Sequence, residues 1–367
     1  MRFASLPGYV PGLLIVCLLA GFFLAWSSGR PTSDPSSLVG RADPILIDGL
    51  RADDTDLFAQ AHGIYLEALE QQSSHPEALR GAAIADLGLH RFSLALERAT
   101  AATLLRPDDH IALAAVVDAN IELGNYAAAE VELDRLLSLR PGLEASSRLS
   151  YLRQTMGDGE GALQAMWQAR ASASGLVQEA ARIDALIGEL EFSLGNDAAA
   201  ADAYRQAIQT DPTRLDAAVG SAAVVFRSGD SLTALAMLDD VYAIDPGDTA
   251  ALILEAEIAA SIGDVDRAGR AANAVALDAL AEHEAGFGID PSAALPASSW
   301  GDPELGLQVA EIIHEARPDN VRVAHAYAWA LHQVGRSDEA VTALDVATRF
   351  GINDAVLAAH AAEILAS

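Results

Sequence analysis

From Asp54 onward the apolar positions recur three and four residues apart, in runs that close at a glycine or a proline. That spacing lays one apolar stripe along a helix. The Val/Ile/Thr/Tyr alternation that builds strands is scarce. The pattern therefore predicts an all-α chain of paired helices. The stretch "ARIDALIGELEFSLGNDAAAADAYRQAIQTDPTR", Ala181 to Arg214, shows the unit. Two striped segments meet at Gly195, where a flexible backbone suits a tight turn. The second ends at Asp211-Pro212, because the residue before a proline is pushed out of helical geometry.

The same phrase returns along the chain. "ALERATAATLLRP", "AEVELDRLLSLRP", "AADAYRQAIQTDP", "ALAMLDDVYAIDP" and "GLQVAEIIHEARP" end at Pro107, Pro141, Pro212, Pro246 and Pro318. Pro107 to Pro141 and Pro212 to Pro246 are each 34 residues, whereas Pro141 to Pro212 is 71 and Pro246 to Pro318 is 72, close to two periods each. A fixed period of this kind marks helix pairs that cover their apolar faces only by stacking.

On these residues the chain resembles the tetratricopeptide repeat family. The family's small, large and proline positions fall on Gly188, Ala200, Tyr204, Ala207 and Pro212 in the clearest copy. Other copies supply Ala95, Ala102 and Pro107; Gly124, Ala129 and Pro141; Gly229, Ala234 and Pro246; Gly263 and Ala268; and Gly335, Ala340 and Ala347. The resemblance implies a right-handed α-solenoid of helix-turn-helix repeats. Repeats are expected over 54–279 and 302–367, the latter ending in a capping helix, "DAVLAAHAAEILA". Residues 280–301, rich in Gly, Pro and Ser, read as a loop insertion before a lone second helix. The first copy keeps its second helix but has a poor first one.

The N-terminus differs. Val10 to Trp26 is an uncharged apolar run of 17 residues behind Arg2, roughly 26 Å as a helix at ~1.5 Å per residue. Residues 1–28 are expected to be a single-pass membrane anchor or a signal peptide cleaved near Ser27. Arg2 favours an inside N-terminus and an exported body. Residues 29–53, with their Ser, Pro, Gly and Asp, read as a flexible linker.

Composition narrows the chemistry. The net charge is −29, all 23 basic residues are arginine, and the single cysteine is Cys17. Such a chain repels nucleic acid and has no thiol for a disulfide or thiolate site beyond the N-terminal run. No phosphate loop, dinucleotide fingerprint, serine-hydrolase elbow or zinc-protease motif is present; "GDGEG" at Gly157–Gly161 lacks the preceding strand and following lysine that a phosphate loop needs. No enzyme activity and no cofactor is expected.

The resemblance also implies that selected positions on the first helix of each pair line a concave groove. Carried over, these are Arg80, Ile84, Leu87, Ala114, Asp118, Ile121, Glu189, Phe192, Val219, Phe226, Arg227, Ile253, Glu257, His325, Trp329 and His332. The mixture of apolar and acidic side chains suits an amphipathic or basic helix of a protein partner. The expected function is a non-catalytic scaffold in the bacterial cell envelope, for example in exopolysaccharide export, pilus or envelope assembly. It would be tethered to the inner membrane with its body in the periplasm. A chaperone for exported polypeptides, as in cytochrome c maturation, is a second reading. A metal-dependent module built on His314, His325, His332 and His360 is a third.

Overall fold

The computed structural model describes residues 34–52, 54–351 and 355–367. The described residues are helical apart from turns and one short 3-10 turn, and they form two compact units, over 34–152 and 153–367. The Val10–Trp26 run lies outside the described residues; within them, no helix is long and apolar enough to cross a membrane.

The first unit contains α1 (Pro35–Ala52) with α2 (Thr55–Gln71), α3 (Pro76–Gly88) with α4 (Phe92–Leu105), and α5 (His110–Glu122) with α6 (Tyr126–Leu139). It ends within α7 (Leu143–Thr155). The second unit holds α8 (Gly159–Ser172), then α9 (Val177–Ser193) with α10 (Asp197–Thr210), and α11 (Leu215–Arg227) with α12 (Ser231–Tyr242). After these come α13 (Thr249–Ser261) with α14 (Val265–Glu284), α15 (Ala294–Trp300) with α16 (Pro303–Ala316), α17 (Val321–Gln333) with α18 (Ser337–Ala347), and finally α19 (Ala355–Ala366). The first and second helix of a pair are called A and B below.

Local chemistry sets the ends. Gly195 sits at φ +80° in the α9–α10 turn, where a Cβ would be strained. Its N–H bonds Phe192 O, and Asn196 N–H bonds Glu191 O, so the last carbonyls of α9 are satisfied. The residues preceding Pro107, Pro141, Pro212 and Pro318 have extended φ near −140° (−134° to −144°) and end α4, α6, α10 and α16. At the other ends, Asp54, Asp109, Asp158, Asp230, Asp248, Asp264 and Asp302 accept hydrogen bonds from the first-turn N–H groups of their helices. Part of the acidic excess is thus built into helix starts, where it also suits the helix dipole.

Tyr204 shows how pairs fit together. It is buried between Gly188 on α9 and Gly220 on α11; a Cβ on Gly188 would come within 2.6 Å of the ring, and one on Gly220 closer still. Ala200 and Ala207 flank it, both fully buried. Helices approach this closely only where small residues stand.

Two expectations are corrected. The linker assigned to 29–53 is helix α1 from Pro35 to Ala52, the A partner of α2. It buries Leu38, Val39, Ala42, Leu46 and Leu50 as one stripe, and Asp43 accepts a 2.7 Å hydrogen bond from Tyr65 of α2. The repeats therefore start before Asp54, and the first copy has its A helix. The loop insertion at 280–301 is also ordered: α14 runs on to Glu284, and a 3-10 turn (Pro291–Ala293) leads into α15. Ala293, Ala294, Ala297 and Ser298 are buried, and Gly306 of α16 lies tight against Ser298. Small residues let this short helix stand as the A partner of α16, which is not a lone B helix.

Candidate functional site

In the first unit, the A helices carry ionic links rather than an open apolar groove. Arg80 on α3 pairs with Asp109, the residue capping α5, at 3.0 Å. Asp118 on α5 accepts from Arg148 on α7 at 2.7 Å, and both are buried. Arg148 further donates to the carbonyls of Ala114 and Glu144. Burial pushes the Asp118 carboxyl up, against the pull of Arg148. Asp86 on α3 likewise sits buried beside His62 and Arg98.

In the second unit, two successive A helices meet through Phe192 and Arg227, and the charge of Glu257 on the next one acts on Arg227. The Arg227 guanidinium carbon stands 3.4 Å from the centre of the Phe192 ring, and Nη1 donates to Phe192 O at 2.9 Å. Arg227 also pairs with Asp197, and the Glu257 charge acts on it from α13. On the same two helices lie the half-buried Glu189 and Phe226. Burial and the Asp216 carboxylate push Glu189 up to about 8, opposed by Arg214, Arg322 and Arg182. Glu189 is thus largely protonated near neutrality.

At the end of the chain, α17 and α19 share an aromatic stack. His360 lies on Trp329 with ring centres 3.6 Å apart and planes within 3°. His325 Nε2 and His360 Nδ1 are 3.0 Å apart, one ring donating to the other. His332 faces Glu363 at 3.5 Å, and Trp329 donates to Ser299 Oγ at 2.9 Å. Burial lowers His325 to about 4 and His360 further, the latter aided by the neighbouring histidines. His314 instead stacks on Tyr327.

Several residues expected in a groove are corrected. Ile84, Leu87, Ile121 and Ile253 are at most 2% exposed and Ala114 is sealed, so these side chains are core. Asp118, Val219, Phe192, Trp329 and Glu257 are buried by contacts with neighbouring helices. Arg80, Glu189, Phe226, Arg227, His325 and His332 keep partial access. The histidine set does not converge: among the described residues no group of three or more His, Cys, Asp or Glu is placed to hold a metal ion, whereas zinc needs three or four converging ligands. Arg148 and Asp184 were not legible as site residues. A charge inside an apolar A helix, as in "AVVDANIE" or "ARIDALIG", is the signal that points to such buried pairs.

Comparison with known proteins places this arrangement. A tetratricopeptide repeat model matches residues 80–144 and 148–214. No curated protein sequence matches the chain significantly. Among solved structures, a tetratricopeptide repeat protein of Parabacteroides merdae is similar at 17% identity, over 76% of this chain and 98% of its own, with a TM-score of 0.50. A human IFIT1 dimer solved with m7Gppp-AAAA is similar at 14% identity, over 86% of this chain and 71% of its own, with a TM-score of 0.54. A thermophilic repeat protein of Thermus thermophilus is similar at 19% identity, over 52% of this chain and 99% of its own, with a TM-score of 0.46. At these identities the likeness to the first two is one of fold.

Proposed function

The chain belongs to the tetratricopeptide repeat family, and from that premise we propose that it is a scaffold whose A helices bind a segment of a partner protein without catalysis. Repeats of this family imply a protein–protein interaction scaffold in general. The observation that carries the reading is the Arg227 guanidinium seated on the Phe192 ring, which joins α9 to α11, with Glu189 and Phe226 half-buried on the same two helices. Packing holds these side chains in place before a partner arrives, which lowers the ordering cost of binding. The partner proposed is an amphipathic or basic helix, in keeping with the acidic chain.

The setting we propose is the bacterial envelope, with Val10–Trp26 as an inner-membrane anchor, or as a signal cleaved near Ser27, and the repeats in the periplasm. The sequence of that run and Arg2 support it. The m7Gppp-AAAA accompanying the human protein is not carried over, since a net charge of −29 without lysine disfavours phosphate-rich partners.

The test is a photo-crosslinking residue placed in the full-length protein at Phe226, compared with one at the exposed Leu232 of α12. A partner captured from Phe226 and not from Leu232 supports the reading. Equal capture, or none from Phe226, overturns it. Protease accessibility in spheroplasts tests the location: protection of the repeats sinks the periplasmic placement.

A further inference from the structure

A cleft of about 600 Å³ opens between α8 and α10, with α9 as its floor. It is built from a different face of α9 than the one carrying Glu189 and Phe192. Asp184, Ile187 and Glu191 recur at three- and four-residue spacing and point to one side of the helix, and all three line the cleft. Ala199 and Ala203 of α10 form one wall. On the other, Trp167 of α8 stands 51% exposed, one of the largest apolar side chains left open to solvent.

One of the lining residues, Asp184, carries an unfinished polar contact. Asp184 is 5% exposed. Its Oδ1 accepts from Arg170 Nε at 2.6 Å, while its Oδ2 is buried with no hydrogen-bond partner. A carboxylate can take a guanidinium on each oxygen, and an unpaired buried oxygen costs about 1–3 kcal/mol. Arg170 therefore uses half of what Asp184 offers. Glu191, bonded by Asn196, and Asp202, bonded by the exposed Arg205, add negative charge at the rim. An indole beside carboxylates is the surrounding that favours a guanidinium: the ring face attracts the cation and the apolar wall covers its stem.

We propose that this cleft is a second docking site, which seats an arginine side chain from a basic segment of a partner protein between Trp167 and Asp184. The charge of the chain selects that occupant over a second copy of itself, which would bring another net charge of −29. The site rests on the protein-binding reading above but not on the A-helix face, so the two can fail separately.

The probe is a fluorescent helical peptide with arginines every fourth residue on an alanine background. Its binding to the full chain is followed by anisotropy, beside a lysine analogue and a glutamate analogue. The expected order is arginine tightest, lysine weaker, glutamate unbound. Trp167→Ala, which removes an exposed ring, should weaken the arginine peptide by about tenfold or more. Ala203→Phe should block it by filling the cleft. Asp184→Asn should weaken it as well, and is read only if circular dichroism shows an unchanged melt. Leu232→Ala, at an exposed position of α12 outside both faces, should leave this binding as it is. Unchanged affinity in both Trp167→Ala and Ala203→Phe overturns the proposal. So does an equal loss on neutralising Asp239 and Asp240 of α12, which would mean general attraction to acid. Dimerisation of the chain that Ala203→Phe abolishes would assign the cleft to self-association and overturn it too.

Discussion

Arg227 of α11 covers the ring of Phe192 on α9, its guanidinium carbon 3.4 Å from the ring centre, while one of its N–H groups bonds the carbonyl of that same phenylalanine. One side chain thus ties two successive A helices through both backbone and ring. Arg227→Ala should cost about 1–3 kcal/mol, for the lost cation–ring contact and hydrogen bonds. Arg227→Lys should recover part of that, as an ammonium lacks the planar fork. Urea denaturation of both variants checks this; an Arg227→Lys protein as stable as the parent would show that the fork is irrelevant.

Tyr204 leaves no room for a methyl group at Gly188 or Gly220. Gly220→Ala should destabilise by about 1–3 kcal/mol through overpacking. Tyr204→Leu alone should cost a similar amount through the space it empties. The two together should cost less than their sum, since each relieves the other. A double-mutant cycle by thermal melting measures the coupling, and strict additivity would refute the close fit.

Removing Arg148 strands Asp118 in the interior. Arg148→Met should cost about 3–5 kcal/mol, because a buried charge loses its partner. Adding Asp118→Asn should restore much of the loss. Denaturation at neutral pH compares the three proteins; no recovery in the double variant would place the cost in packing instead.

The stack of His360 on Trp329 should be acid-labile. Both His325 and His360 are held below the ordinary imidazole value of 6.5, His325 at about 4. A lowered folded value means that the unfolded chain takes up the proton first. The stability is therefore full above pH 6.5 and is lost as pH falls towards 4. Hydrogen exchange in α19 should rise across that window. His360→Phe keeps an aromatic ring on Trp329 and should make the profile shallower, and an unchanged profile would exclude His360 as a source of it.

Glu189 runs the other way. Its folded value lies near 8, against an ordinary value of 4.5, so stability is lost as pH rises from about 4.5 through 8. Glu189→Gln should raise the melting temperature at pH 9 more than at pH 5. An equal shift at both would show that Glu189 is already ionised in the fold.

The phase of the repeats was legible in the chain itself. Gly195 at its turn, Pro212 at its handover and Tyr204 among Ala200 and Ala207 act through backbone geometry and near neighbours, so spacing alone reveals them. Helix α1 was not. Its stripe of Leu38, Ala42, Leu46 and Leu50 is interrupted by Gly40, Pro44 and Gly49, and it becomes a helix of the fold by packing on α2. Helix α15 likewise depends on α16 and α17 to cover its small residues. Carrying the groove over from the family gave positions on the A helices but not their burial: Ile84 and Ile121 vanish into the core while Phe226 keeps an edge in solvent. That difference, like the cleft beneath Trp167, arises where helices from separate repeats meet. Periodicity along one helix determines which way a side chain points; only its neighbours in space determine whether anything can reach it.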